Sequence, residues 1–375
     1  MVSCGEPSGD LYAGALAGEI RRLDPAAEIF GLGGERLRAA GGRLTGDYTG
    51  ISVTGLVEVL RILPRSYAML RRLVAAARAS RPDVFVAIDF PDFNFRLAAA
   101  LKALGVPIVY YISPQLWAWR PARMQTMKRL ADRVLVIFPF EEELYRREGV
   151  DVRFVGHPLV DLAAATEPRD TFLRGHRLDP SAPVVALLPG SRPNEVSRIL
   201  PVLASAMPLI AARVPRVQFV VACAPELPDA SFAGIAGAVF VRGRADDVLA
   251  AADVVVTASG TATVQAALHE RPMVVVYRLS NLTYRIGKPF VKVDTYAMAN
   301  LVAGSRVVPE LIQQDCTPER VAAETVSFLT DSARYDATRA ALAGVRAKLG
   351  APGASARAAE AILEVAARGL HQTRV

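Results

Sequence analysis

Short runs of β-branched and other apolar residues alternate along the chain with longer segments whose apolar positions recur at helical spacing. The runs read as strands at Glu28–Leu32, Val84–Asp89, Pro107–Ile112, Arg133–Ile137 and Val152–Val155. The series resumes at Val184–Leu188, Gln218–Cys223, Ala238–Val241, Val254–Thr257 and Met273–Tyr277. Helical patterns fill Leu11–Leu23, Phe93–Leu104, Phe140–Glu148, Glu195–Arg213 and Ala262–Glu270. Continuous apolar strands separated by helices predict parallel sheets covered on both faces. Two such series predict two doubly wound α/β domains. The joint falls between Gly156 and Ala182, where helix breakers gather and the strand signal fades. From Thr317 onward the pattern is helical alone, over Thr317–Thr330, Ala333–Leu349 and Ala354–Arg368. No repeat of 20–50 residues is visible. Only Met1–Cys4 precede the first glycine turn, so either strand one is short or the chain begins upstream.

Composition narrows the class. A length of 375 residues fits roughly two to three domains, and 52% hydrophobic against 22% charged residues excludes disorder. Cys4, Cys223 and Cys316 stand far apart, which argues against a disulfide framework or a cysteine zinc site and for an intracellular chain. The net charge is +7 and the pI about 9.5. Lysine occurs only at Lys102, Lys128, Lys288, Lys292 and Lys348, so the excess is arginine. An anionic partner follows, whether nucleic acid, a phosphorylated substrate or anionic lipid. Arginine-rich genome bias is the competing explanation. Mean hydropathy is high at +0.26, yet no run reaches the roughly 18 apolar residues of a membrane span. The nearest, Val254–Leu268, is interrupted by polar residues. No signal peptide pattern opens the chain, so the reading is neither spanning nor secreted.

Five stretches carry candidate chemistry. Gly5-Glu6-Pro7-Ser8-Gly9-Asp10 is a glycine turn from strand to helix, able to face backbone N–H groups to an anion or to serve only as a tight βα turn. Ile88-Asp89-Phe90-Pro91-Asp92-Phe93-Asn94 turns polar abruptly where a strand ends, the place where ligands gather in open α/β sheets. A carboxylate at Asp89 is suited to act as general base towards a hydroxyl, whereas Asp92 reads as an ordinary N-cap. Gly190-Ser191-Arg192 opens the first long helix of the second series. An arginine fork matches phosphate oxygens, so phosphate contact is preferred to simple capping, with Glu195 able to close back onto Ser191 or Arg192. Ser259-Gly260-Thr261 offers small residues and hydroxyls at a helix N-terminus, a diphosphate cradle that needs no metal. No DxD pair occurs, and His157, His176, His269 and His371 are too scattered for a metal site. The fifth stretch, Leu56–Arg81, carries Arg61, Arg65, Arg71, Arg72, Arg78 and Arg81 with no acid between Val59 and Pro82. Pro64 is expected to break it into two helical pieces. Its apolar residues spread around the helix, which favours a membrane-interface helix over one packed wholly on a sheet. Trp117, Trp119, Tyr284 and Phe290 extend the theme. Stacking on nucleic acid competes, but no RNP, KH or helix-turn-helix pattern supports it.

The runs GEPSGD, IDFPDFN, YYISPQLWAW, FPFEEELY, FVGHPLVD, LLPGSR, SGTAT and NLVAGSRVVPELIQ occur in that order. Together, from residue 3 to about residue 325, they resemble the lipid-A-disaccharide synthase family of inverting glycosyltransferases. The resemblance implies a GT-B architecture, with two Rossmann-like doubly wound parallel-sheet domains facing a cleft. It implies an N-terminal acceptor and membrane-contact domain over 1–165, completed by C-terminal helices at about 345–370, and a UDP-sugar-binding domain over 166–344. The implied reaction joins UDP-2,3-diacylglucosamine to 2,3-diacylglucosamine 1-phosphate, giving a β-1,6-linked disaccharide 1-phosphate and UDP without metal or cofactor. The family's general base falls on Asp89. Gly190, Ser191, Arg192 and the Ser259-Gly260-Thr261 turn would hold the leaving UDP. Asn300, Glu310 and Gln313 would line the donor side, and Glu6, Ser8 and Asp10 would touch sugar. The membrane patch maps onto Val57, Val59, Leu60 and Leu63, with Arg71 and Arg72 beside it.

Two departures from the family pattern stand out. Gln265 occupies the place of a glutamate that binds ribose hydroxyls in related transferases, so donor binding is expected to be weaker but retained. Ala299 stands where a proline usually precedes Asn300, a loss of rigidity alone. The expected location is the cytoplasmic face of the inner membrane, with no nucleic-acid partner and the oligomeric state open. Another UDP-sugar transferase or epimerase of the same architecture is the first alternative, and a membrane-surface module without catalysis the second.

Overall fold

The computed structural model describes residues 1–49, 56–114, 123–279 and 295–372. Among them, one compact unit takes Met1–Pro158 and the C-terminal stretch from Leu349, and the other takes the residues between Leu159 and Lys348. The first holds strands β1 (Val2–Ser3), β2 (Phe30–Gly33), β3 (Arg43–Asp47), β4 (Phe85–Ile88), β5 (Ile108–Tyr111), β6 (Arg133–Val136) and β7 (Val152–Phe154). They form a parallel sheet in the order β3-β2-β1-β4-β5-β6-β7. The second holds β8 (Val184–Leu188), β9 (Gln218–Cys223), β10 (Ala238–Arg242), β11 (Val254–Ala258), β12 (Met273–Tyr277) and β13 (Glu310–Ile312), in the order β10-β9-β8-β11-β12-β13, again parallel. The two-domain α/β class read from the sequence is the one found.

Burial explains which strands the pattern reveals. Every residue of β4, β5, β8 and β11 is buried, because helices cover both faces, and all but Thr257 are apolar or aromatic. The edge strands β3 and β13 were not expected from the pattern. Their sequences, RLTGD and ELI, are short, and each is only partly buried. Strand one is two residues long. Several helices begin on a proline, at Pro7, Pro91, Pro139 and Pro193, two to four residues before most of the expected starts. A proline in the first turn has no N–H to lose and its φ already suits the helix.

The stretch expected to break at Pro64 forms instead one helix, Leu56–Ser80. Loss of one hydrogen bond there is outweighed by the packing of its second half, where Leu73 and Ala77 are buried in the first core and Met69, Leu70 and Val74 pack half-buried against it. Leu63 and Tyr67 remain 42% and 63% exposed, and Arg71 and Arg72 are exposed beside them. The side chains of Val57, Val59 and Leu60 lie outside the described residues, as do Trp117, Trp119, Tyr284 and Phe290. No helix among the described residues is long and apolar enough to cross a membrane. The C-terminal helix Ala354–Gln372 packs on the helix Pro7–Leu23 within the first unit. Arg133 fastens it to the sheet, with Nη1 2.7 Å from Glu364 and Nε 3.1 Å from Asp151.

Candidate active site

In each sheet the chain reverses its direction of travel between two neighbouring strands, β1 and β4 in the first and β8 and β11 in the second. The carboxyl ends of such a strand pair diverge and leave a crevice. The turns Gly5–Asp10 and Asp89–Phe93 open from one pair, and Gly190–Arg192 and Ser259–Thr261 from the other.

The first crevice is built on a strained elbow. Asp89 (φ 43°) and Phe90 (φ 48°) are consecutive left-handed residues, and neither is glycine. Each such residue costs about 1–2 kcal/mol, so the surroundings must hold them. Tyr110 Oη donates to the Asp89 carbonyl at 2.8 Å. Asn94 Nδ2 donates to the same oxygen at 2.8 Å and reaches the carbonyls of Ser3 and Ile88 at 3.2 and 3.3 Å. The Asp89 N–H donates to Tyr111 O at 3.3 Å. The left-handed turn carries the Phe90 ring over Gly5, where a Cβ would fall 2.2 Å from the ring. Only glycine fits there. Asp92, read as an N-cap, is not one: the helix Pro91–Lys102 begins before it, and its carboxylate pairs with Arg123. Glu6 and Ser8 are half-buried at the start of the helix Pro7–Leu23. Asp10, expected to touch sugar, is held from within the chain. It is buried, and its carboxylate accepts from the backbone N–H groups of Gly34 (2.7 Å), Arg36 (2.8 Å) and Leu37 (3.2 Å). That charge caps the short helix Glu35–Ala39.

In the second crevice Glu195 organises the glycine turn. Its carboxylate accepts from Ser191 N at 3.1 Å and from Arg192 Nη1 at 3.1 Å. Gly190 (φ 123°) permits this, since a Cβ there would stand 2.6 Å from Glu195 Cβ and Oε2. Tyr277, at the end of β12, belongs to the same neighbourhood. Burial pushes its hydroxyl pKa up, the Glu195 charge adds to this, and Arg192 opposes it. Ser259 Oγ donates to Tyr296 O at 3.0 Å, and exposed Gly260 leads into the helix Thr261–Leu268. The first N–H groups of that helix have no partner within it.

Asn300 and Glu310, expected to hold the donor, are engaged inside the protein. Buried Asn300 accepts from Val307 N (2.8 Å) and Val308 N (3.0 Å) and donates to Val308 O (2.9 Å) and Glu310 (2.8 Å). Those four bonds saturate its amide. Glu310 also accepts from Tyr296 N (2.9 Å) and Ala297 N (3.0 Å). The pair thus fixes the segment that Ser259 touches. Ala299, in the helix Met298–Ala303, is fully buried. Gln313 is left-handed (φ 54°), accepts from Leu279 N at 3.2 Å, and keeps a buried Nε2 without a hydrogen-bond partner.

Comparison with known proteins decides among the readings. The family described as "Lipid-A-disaccharide synthetase" matches residues 1–365. The chain belongs to the lipid-A-disaccharide synthetase family. The lipid-A-disaccharide synthase of Geobacter metallireducens is 44% identical over 373 residues, covering 97% of this chain and 96% of the relative. That of Myxococcus xanthus is 44% identical over 370 residues, with 97% of each covered. Among solved structures, the UDP-GlcNAc 2-epimerase of Neisseria meningitidis bound to UDP-GlcNAc has a TM-score of 0.67 at 12% identity, covering 97% of this chain and 98% of that one. The calicheamicin glycosyltransferase has 0.58 at 18%, covering 98% and 97%. At such identities these two speak for the GT-B fold alone.

Within this lipid-A-disaccharide synthetase family member, Gln265 is tied into a small cluster. Its Nε2 donates to Asp246 at 3.1 and 3.2 Å, and His269 Nε2 lies 3.1 Å from the same carboxylate. A carboxylate therefore stands beside the amide. Asp246, Asn94 and Tyr110 escaped the sequence reading. Asn94 lay within the IDFPDFN run, but its contacts with β1 and with the Asp89 carbonyl leave no local signature. Asp246 sits in an ordinary acidic first helical turn.

Proposed function

We propose that this chain transfers the sugar of UDP-2,3-diacylglucosamine to the 6-hydroxyl of 2,3-diacylglucosamine 1-phosphate. Asp89 takes the hydroxyl proton as the acceptor oxygen attacks the anomeric carbon. The bond from that carbon to UDP breaks on the opposite face, and the configuration inverts to the β-1,6 linkage. Arg192, the Gly190 N–H, the Ser191 hydroxyl and the N-terminus of Thr261–Leu268 receive the charge that develops on UDP. The reading calls on no metal ion or cofactor. One observation carries it: in a chain of this family, the polar turns open at the switch points of the two sheets, one with a carboxylate and one with an arginine.

The test is a paired-substrate assay that follows UDP release and product mass. Asp89→Asn should lower kcat by about 10²–10⁴-fold while UDP still binds. Full turnover in that variant overturns the assignment of the base. Turnover of UDP-N-acetylglucosamine without acyl chains would favour another transferase or an epimerase.

The same proposal includes an anionic membrane surface, at the cytoplasmic face of the inner membrane, as the source of both acylated substrates. Exposed Leu63 and Tyr67 beside Arg71 and Arg72 support it. Charge reversal at Arg71 and Arg72 should weaken binding to anionic vesicles, and unchanged binding refutes this part.

A further inference from the structure

We infer that Asn94 and Tyr110 are positioning residues for the reaction: together they clamp the left-handed elbow that aims the Asp89 carboxylate. The inference rests on the reading of Asp89 as the base.

The geometry is specific to the elbow. The Asp89 carbonyl oxygen receives two side-chain donors, Tyr110 Oη and Asn94 Nδ2, each at 2.8 Å. The Asn94 amide is oriented in turn by Ser3, whose Oγ donates to Asn94 Oδ1 at 2.6 Å. That bond decides which end of the amide faces the carbonyls of Ser3, Ile88 and Asp89. Ser3 and Asn94 are fully buried and Tyr110 nearly so, so each group carries the cost of desolvation unless it is bonded. The clamp therefore joins β1, β4, β5 and the first turn of the helix Pro91–Lys102 at one peptide group.

The consequence is directional. With the N–H of Asp89 held by Tyr111 O and its carbonyl held by two donors, the peptide groups on both sides of its Cα are fixed. A positive φ at Asp89 points its Cβ away from the course an ordinary strand residue would take. Relaxation to the usual negative φ would swing the carboxylate elsewhere without removing it. The same elbow sets the Phe90 ring between Gly5 and Phe93, with the two rings stacked 5.4 Å apart. The clamp thus also locks the Gly5 turn against the Asp89 turn. Burial holds the Tyr110 hydroxyl far above its ordinary titration range, and the Asp89 charge adds to this, so it remains a donor throughout any practical assay. Neither clamp residue needs to touch substrate.

The test is a double-mutant cycle on the purified full chain, with UDP release and product mass as readouts. Asn94→Asp keeps the shape but loses both N–H donors, and Tyr110→Phe deletes one hydroxyl. A displaced base costs about 100-fold, so Asn94→Asp should lower kcat by about that factor. Tyr110→Phe should lower it about 5-fold, the worth of one net hydrogen bond. KM for both substrates and the affinity for UDP should change less than twofold. In the Asp89→Asn background neither substitution should lower the residual rate further, because nothing is left to aim. A purely structural role would instead lower the melting temperature and leave kcat of the folded protein intact, or would reduce the residual rate equally in both backgrounds. Either result overturns the clamp while the base reading stands. If Asp89→Asn alone keeps full activity, the base reading falls and the clamp with it. Should Asn94→Asp fail to fold, Tyr110→Phe decides alone.

Discussion

His157 supplies a pH dependence that can be worked out from its surroundings. The ring is buried in the first unit, edge-on to Tyr12 at 6.1 Å and tilted against Phe138 at 5.3 Å. Burial disfavours the imidazolium and pushes the pKa from 6.5 down to about 3. Between those values the unfolded chain binds a proton that the folded chain refuses. Stability therefore rises with pH across the window. The contribution is complete above pH 6.5 and is lost progressively as the pH falls towards about 3. The slope is about 1.4 kcal/mol per pH unit. The full window is then worth about 5 kcal/mol, and acidification from pH 6.5 to about 4.5 costs about 2 kcal/mol. For a unit of this size that is ~4–8 °C in the melting temperature. His157→Gln removes the titration. Its own packing cost shifts the whole curve, so the measured quantity is the difference between the two proteins as a function of pH. Carboxylates held below their ordinary range, such as Glu364 hydrogen-bonded to Arg133, also lose stability in acid, but they do so in both proteins and cancel. Thermal melts at several pH values should show wild type falling more steeply below pH 6.5. Parallel curves would refute the reasoning.

Two further expectations concern the second unit. Gln265→Glu sets a second carboxylate within about 3–4 Å of Asp246. At an effective dielectric near 20 the repulsion approaches ~4 kcal/mol, and partial exposure reduces it to about 1–2 kcal/mol. Adding Asp246→Asn should restore the melting temperature, and a single variant as stable as wild type would show that the two side chains do not meet. Gly190→Ala drives a Cβ into Glu195 and requires a non-glycine residue at φ 123°, so stability should fall by about 1 kcal/mol or more. UDP affinity, read by calorimetry, should fall at the same time, because Ser191 and Arg192 lose the carboxylate that holds them. Unchanged affinity would separate that loop from the nucleotide.

Central strands such as Phe85–Ile88 and Val184–Leu188 were legible because burial on both faces favours apolar residues at every position. The edge strands Arg43–Asp47 and Glu310–Ile312 were not, since an edge tolerates charge and brevity. Pro64 misled because a proline reads locally as a breaker, while the packing of Leu73 and Ala77 is a tertiary matter. In the candidate site, the polar break after Ile88 marked Asp89. The sign of its φ was out of reach, because it depends on Tyr110, 21 residues away. Asp10, Asn300 and Glu310 show the converse limit. The bonds that each makes to the backbone of its own chain leave no local mark in the sequence.

The helix Ala354–Gln372 has a consequence for the order in which the molecule can be made. It buries Ala358, Ala361, Ile362 and Val365 within the first unit, yet it follows the whole of the second along the chain. A ribosome reading from the N-terminus has delivered every residue of the second unit by Lys348, before this helix exists. The first unit, although begun earlier, must wait with one side of the helix Pro7–Leu23 uncovered. Vectorial synthesis therefore completes the later unit first, and the earlier one closes only when the last helix leaves the ribosome.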